Sequence, residues 1–317
     1  MKQYKGYILK AQLNLFSPQI NNTRNIGNGV SFGSAIKITS MPLDYFDLRI
    51  LPNYVSNLKK ALQERKSLAC SILDCLKYAM ADLKYQLIIK QSGFEDVVPK
   101  LNITKTTTGP FAYFDPTNSN IYLNGGILNR KYTAQNKKLV ENVLKHELSH
   151  AKQFIDVARC EDIGLDGLKS ALREYLKLYV VVLEKDSEKL GQYLMQQLSY
   201  GKRSRKELLP IYNQYISMYE ELKEKQEMLS GARDIINEEF YKKAVERFGI
   251  IKSGTPEAKK AKIYLESILD KVLSGKEKIE TLKLRLDNGE ISKEIYEIER
   301  KKIYLDNPLE VDAFPLD

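Results

Sequence analysis

The sequence predicts an α+β fold: a small β-sheet and a buried helix carrying an ionisable motif, joined to a large all-α insertion. Three observations lead there. Residues 7–15 and 100–124 have the residue types and spacing of short strands. Residues 54–89 and 133–158 place apolar side chains at three- and four-residue steps, the helical period. Residues 165–305 are almost continuously helical in composition, rich in Leu, Lys, Glu, Tyr and Ile.

Four segments follow in order. In residues 1–53, Tyr7, Leu9, Ala11, Leu13 and Leu15 alternate with Lys10, Gln12 and Asn14. A polar Asn/Gly/Ser stretch covers 17–34, and Ile36 and Ile38 suggest a further strand, so this segment reads as β-rich. Residues 54–162 form the core. Val55, Leu58, Leu62, Leu68, Ile72, Leu76, Met80 and Leu83 mark a helix to about Ile89, ended by Gly93 and Pro99. KLNITKTTT reads as a strand, and FAYFD and IYLN flank the turn PTNSN as a hairpin closed by Gly125 and Gly126. In the next helix Leu139, Val140, Val143, Leu144, Leu148, Ala151, Phe154 and Ile155 cover more than one stripe, so it is buried between layers. Residues 163–305 read as six or seven helices, with breaks near Gly201, Pro210, Gly231, Gly249–Pro256, Gly275 and Gly289. Residues 306–317 form a short separate element.

Composition excludes several classes. Of 317 residues, 43% are hydrophobic and 29% charged, enough apolar area to offset chain entropy and so to exclude wholesale disorder. The net charge of +9, from 50 basic and 41 acidic residues, permits an anionic partner without demanding one. No apolar run approaches the roughly 20 residues of a membrane helix, and the N-terminus shows no h-region or cleavage site. A cytoplasmic or phage-particle location is therefore the expectation, with no membrane partner. Cys70, Cys75 and Cys160 are too few and too irregularly spaced for a disulfide framework and read as reduced.

The chain holds two histidines, and they stand four apart in His146-Glu147-Leu148-Ser149-His150. Random placement gives that spacing with Glu next about once in two thousand trials. Positions i and i+4 of a helix share a face, with Cβ atoms about 5–6 Å apart, so two imidazoles can converge on one cation. Nitrogen donors suit Zn²⁺. Glu147 projects about 100° further round, where it borders the ligand set and suits a general base acting on a water that the metal activates.

A third protein ligand must be Asp, Glu or Cys, because no other histidine exists. Gln153 and Asp156 exclude an HExxHxxGxxH arrangement. Cys160, Glu161 and Asp162 follow the motif but point away from the ion at the end of the same helix. Glu310 is the better candidate. Asn307 is a favoured N-cap and Pro308 a favoured first helical residue, so Glu310 falls in the first turn of a helix, with the small Ala313 nearly one turn on. Glu238 and Glu239 compete for the role, although they look more like a solvated helix face.

His146–Gln153 together with Glu310-Val311-Asp312-Ala313 resembles the zincin metallopeptidases, specifically the gluzincin branch. The resemblance covers about residues 54–160 and 305–317, and its specific part is HExxH. It implies zinc held by His146, His150 and Glu310, Glu147 as the base, peptide-bond hydrolysis, and a strand pair at FAYFDPTNSNIYLN whose edge can hold an extended peptide or protein substrate. The chain departs from the branch in three ways. Glu310 lies about 160 positions beyond His150, so residues 163–305 must return the chain to the site. Phe314 stands where the branch often carries Asp, which leaves Asp312 as a candidate to orient a histidine. No third histidine remains to stabilise a transition state, so a tyrosine must serve, with Tyr113, Tyr122 and Tyr304 as candidates.

The helical insertion mixes both charge signs and reads mainly as a solvated bundle, with room for a protein partner. Lys202-Arg203-Ser204-Arg205-Lys206 is a compact basic run, but without interleaved aromatics nucleic acid is not expected. The alternative reading is a structural or interaction protein, a component of a phage particle or a delivered effector, whose core is only a scaffold. An intact Glu147 argues against it, since a structural metal needs no base.

Overall fold

A computed structural model describes residues 72–104, 110–129, 134–201 and 203–314. The β-rich segment expected at 1–53, and the expected helix as far as residue 71, lie outside the described residues. The chain divides into two compact units. The first takes residues to Phe114 together with Asn120–Glu147, and the second takes Asp115–Ser119 and everything from Leu148. The described part is mostly helical with one small mixed sheet.

In the first unit, helix α1 (Ile72–Ser92) buries Ala79, Met80, Leu83, Tyr85 and Ile88. The buried Tyr85 hydroxyl donates to the Pro99 carbonyl at 2.8 Å and so satisfies the one polar group its ring brings inside. The sheet has three strands: β1 (Lys100–Thr104), β2 (Ala112–Asp115) and β3 (Asn120–Asn124), in the order β1-β3-β2. β1 runs parallel to β3, pairing Lys100 with Asn120 through Thr104 with Asn124. The four-residue connection between β2 and β3 is long enough only for an antiparallel pair. β3 is central, and its Ile121 and Leu123 have no exposure. Gly125 follows at a crowded point, where a Cβ would sit 2.5 Å from the Thr104 carbonyl oxygen and 2.9 Å from the Tyr78 hydroxyl. Helix α2 (Ala134–Arg159) carries the HExxH motif and runs unbroken through the point between Glu147 and Leu148 where the units divide.

The second unit is helical. α3 (Gly164–Tyr200) and α4 (Arg205–Leu229) form an antiparallel hairpin. Gly201 ends α3 in the left-handed conformation that glycine adopts without steric cost. Ser204 then opens α4 with a capping box, its hydroxyl accepting from Glu207 N while the Glu207 carboxylate accepts from Ser204 N at 2.8 Å. α5 (Glu238–Phe248), α6 (Pro256–Asp287) and α7 (Lys293–Leu305) follow, each opened by a capping side chain: Asn237, Thr255 and Ser292. α8 (Pro308–Ala313) closes the described chain and packs on α6 and α7. Among the described residues no helix is long and apolar enough to cross a membrane.

Among the described residues, 164–305 therefore form five helices rather than six or seven. Two expected breaks are absent: Pro210 lies inside α4 and Gly275 inside α6. Pro210 falls little more than one turn into its helix, where the capping box already fixes the start. An interior glycine costs only about 1 kcal/mol relative to alanine, less than the rest of a 32-residue helix supplies.

The turn Asp115–Ser119 belongs to the second unit because polar groups bind it there. The Asp115 carboxylate accepts from Thr117 N at 2.9 Å and from Asn118 Nδ2 at 3.0 Å, folding the turn on itself. Lys225, buried on α4, donates to the same carboxylate at 3.3 Å and to Thr117 Oγ1 at 3.1 Å. The Tyr241 hydroxyl donates to the Pro116 carbonyl. Burial, with the charges of Asp115 and Glu221, pushes the nearby Tyr175 phenol up to about 12.

Candidate metal centre

Helix α2 sets the first half of the site. His146 and His150 stand one turn apart and are both buried, at 0% and 8% exposure. The helix around them is apolar on its other faces: Val143, Leu144, Ala151 and Ile155 are buried too. Glu147, between them in sequence, is 2% exposed.

The second half comes from α8. Asn307 caps this helix, its side chain accepting from Leu309 N at 2.9 Å, and Pro308 fixes the first helical position. Glu310 thus sits in the first turn, with only 1% of its surface exposed. His150 Nε2 and Glu310 Oε2 are 3.6 Å apart, close to the edge of about 3.4 Å between two ligands of a tetrahedral ion at 2.0–2.1 Å. One donor atom each from His146, His150 and Glu310 lies within 4.8 Å of the others. Two imidazole nitrogens and a carboxylate, all withdrawn from water, are a donor set that fits a divalent cation of intermediate softness.

Neighbouring groups hold this set. The Tyr304 hydroxyl donates to Glu310 Oε2. Gln153, also buried, places Oε1 2.8 Å from His150 Nδ1 and Nε2 2.8 Å from the Leu309 carbonyl oxygen. Asp312 accepts from Lys260 Nζ at 2.6 Å, from the Tyr264 hydroxyl, and from Gln153 Nε2 at 3.4 Å. Partial burial alone would raise the Asp312 pKa, but these donors outweigh it and hold the carboxyl below its usual value. Lys260 and Tyr264 are on α6, so the long helical excursion supplies the platform on which α8 rests.

Two of the other candidates from the sequence border this set and the rest make contacts of their own. Tyr304 touches the Glu310 carboxylate itself. Asp312 reaches Gln153 and two α6 side chains. Tyr113, 40% exposed, stacks on Tyr122 with ring centroids 4.8 Å apart. Glu238 pairs with Lys169 and Lys242, and Glu239 with Lys243. Cys160 is fully buried against Ala258 and Ala261, while Glu161 and Asp162 both accept from Ser253. Gln153, Lys260 and Tyr264 were not among the sequence candidates. For Gln153 a signal existed: it stands three residues past His150, on the same face. Nothing local marks the other two.

No protein-family model, curated protein or solved structure matches the chain.

Proposed function

We propose that the chain is a zinc-dependent metallopeptidase of the zincin type. The observation that carries this reading is the meeting of His146, His150 and Glu310, from two elements far apart in sequence, with their donor atoms within 4.8 Å. His146, His150 and Glu310 would hold the ion. When bound, zinc supplies a water of lowered pKa and polarises a carbonyl oxygen. Glu147 is the group to take that proton and later to deliver it to a leaving amine, as a carboxylate beside the ligand set but outside it. Its burial keeps bulk water from competing for it. Tyr304, bound to Glu310, orients a ligand.

The test joins composition to chemistry. Purified protein is expected to carry one zinc per chain, and Glu147→Gln to keep that zinc while peptide hydrolysis falls by about 10²–10⁴-fold. Protein without stoichiometric zinc, or a Glu147→Gln variant as active as wild type, overturns the reading. Zinc retained with no hydrolysis of any peptide library by wild type would favour the scaffold alternative.

A further inference from the structure

We infer that Gln153 is a positioning residue that sets the ring tautomer of His150 and, through the same amide, holds the C-terminal turn to the HExxH helix. A glutamine amide donates only through its nitrogen and accepts only through its oxygen. The Leu309 carbonyl oxygen, 2.8 Å from one end of the Gln153 amide, can only accept. Asp312 Oδ2, at 3.4 Å from the same end, can only accept when ionised. That end must therefore be the NH₂ group, and the oxygen must face His150 Nδ1 at 2.8 Å.

An oxygen acceptor at that distance requires a proton on Nδ1. A neutral imidazole protonated there carries its lone pair on Nε2. Nε2 is the nitrogen that faces Glu310. The chain of constraints thus runs from a backbone carbonyl of α8, through one buried amide, to the lone pair that a cation would use. Gln153 is 2% exposed, so water does not readily take over either contact.

The choice of an amide follows from the same geometry. Imidazole N–H groups behind a metal ligand usually meet a carboxylate or a backbone carbonyl, which only accept. Here the partner must also donate, because its far end meets Leu309 O and Asp312. A glutamate at 153 would satisfy His150 but set an oxygen against both. The residue therefore does two jobs that a carboxylate cannot combine, and it does them across a gap of 156 positions in sequence. The consequence for metal affinity rests on the proposed metal reading; the tautomer does not.

The tautomer can be read directly by long-range proton–nitrogen correlation spectra of the ¹⁵N-labelled, chelator-stripped chain of 317 residues at alkaline pH. With only two histidines in the chain, a His146→Asn spectrum assigns both rings. The expected result is a His150 ring protonated at Nδ1. A proton on Nε2, or an even mixture, overturns the proposal without any substitution at 153. Gln153→Glu is expected to keep the tautomer but raise the zinc dissociation constant by about 10–100-fold in chelator competition. Gln153→Leu is expected to lose both. An unchanged tautomer in Gln153→Leu overturns the first role, and unchanged zinc affinity in both variants overturns the second. If wild-type protein binds no zinc yet shows the Nδ1 tautomer, the metal reading falls and the setting of the tautomer stands.

Discussion

Two regions of the helical unit handle their surfaces in opposite ways. At one, the six-residue α8 buries Glu310 and packs Leu309 and Ala313 out of water, held by Gln153, Tyr264, Lys260 and Tyr304. At the other, the far end of the α3–α4 hairpin, two helices of 37 and 25 residues leave Met195, Leu198, Tyr200, Leu209 and Tyr212 each more than half exposed beside Arg203, Arg205 and Lys206. A helix of six residues has almost no intrinsic stability, so α8 exists only because its contacts hold it. At the hairpin end Leu194 and Leu208 are buried, but the five apolar side chains named above stay largely in water. Length of helix and constraint on side chains are therefore unrelated here, and substitutions should separate the two regions sharply.

The largest effect belongs to α8. On the proposed metal reading Glu310→Ala removes one of three donors, and zinc affinity is expected to fall more than a hundredfold, beyond what loss of a supporting contact costs. Because a cation that binds only the folded state stabilises it by mass action, about 4 kcal/mol at a free concentration a thousand times the dissociation constant, chelation should lower the melting temperature of wild type and leave that of Glu310→Ala almost unmoved. Equal chelator shifts in the two proteins, by calorimetry, would place the stabilising ion elsewhere.

Next comes the buried pair behind the hairpin turn of the sheet. Lys225→Met leaves the Asp115 carboxylate without its cation while Thr117 and Asn118 still donate to it. Breaking a buried ion pair from one side costs about 3–5 kcal/mol, and the partial exposure of Asp115 sets the expectation near the lower end. Urea unfolding of the variant measures it. A loss below about 1 kcal/mol would mean that water reaches Asp115 and that this part of the unit is as loosely held as the hairpin end.

These two effects also mark what the sequence could reveal. The helix over 134–159, the hairpin around PTNSN and the spacing of His146, Glu147 and His150 are local patterns, and local periodicity shows them. Glu310 was legible for the same reason: Asn307 and Pro308 announce a helix start, and the start fixes which residue falls in its first turn. Gln153 was harder, because half of its role depends on a carbonyl 156 positions away. Lys260 and Tyr264 carry no mark at all: Lys260 is one of several lysines on α6, Tyr264 is one of 20 tyrosines in the chain, and their role shows only where Asp312 of α8 meets them. Pro210 and Gly275 misled in the other direction, since residues that usually interrupt helices were outvoted by a capping box and by helix length.

A smaller effect tests the flank of the hairpin nearer the buried pair. Burial raises the Glu221 pKa, and Asp115 and Glu224 add to it, against the Tyr179 hydrogen bond and the Lys225 charge, which lower it. The net shift is upward, so the folded state holds this proton more tightly than the unfolded chain. Stability then falls as pH rises from the unfolded value through the folded one, and above both the penalty is complete. Glu221→Gln keeps an oxygen to accept from Tyr179 and removes the charge. It is expected to stabilise by no more than about 1 kcal/mol at neutral pH, with the gain vanishing once the pH drops below the ordinary glutamate value. A variant less stable than wild type at neutral pH would show that the Lys225 attraction outweighs burial.

The smallest effect is expected at the hairpin end. Leu198→Ser and Tyr212→Ser remove apolar side chains that are 57% and 51% exposed, and surface changes of this kind stay within about 0.5 kcal/mol. Serine is a slightly poorer helix former than leucine, by a few tenths of a kcal/mol, and about equal to tyrosine, so a small loss in urea midpoint is built into the expectation for Leu198→Ser. The informative quantity is the excess over that loss. If each substitution cost more than about 1 kcal/mol, these side chains would be covered in the folded protein in solution, by another copy or by residues outside the described part. A concentration series would then separate the two, because only association between copies makes the midpoint depend on protein concentration.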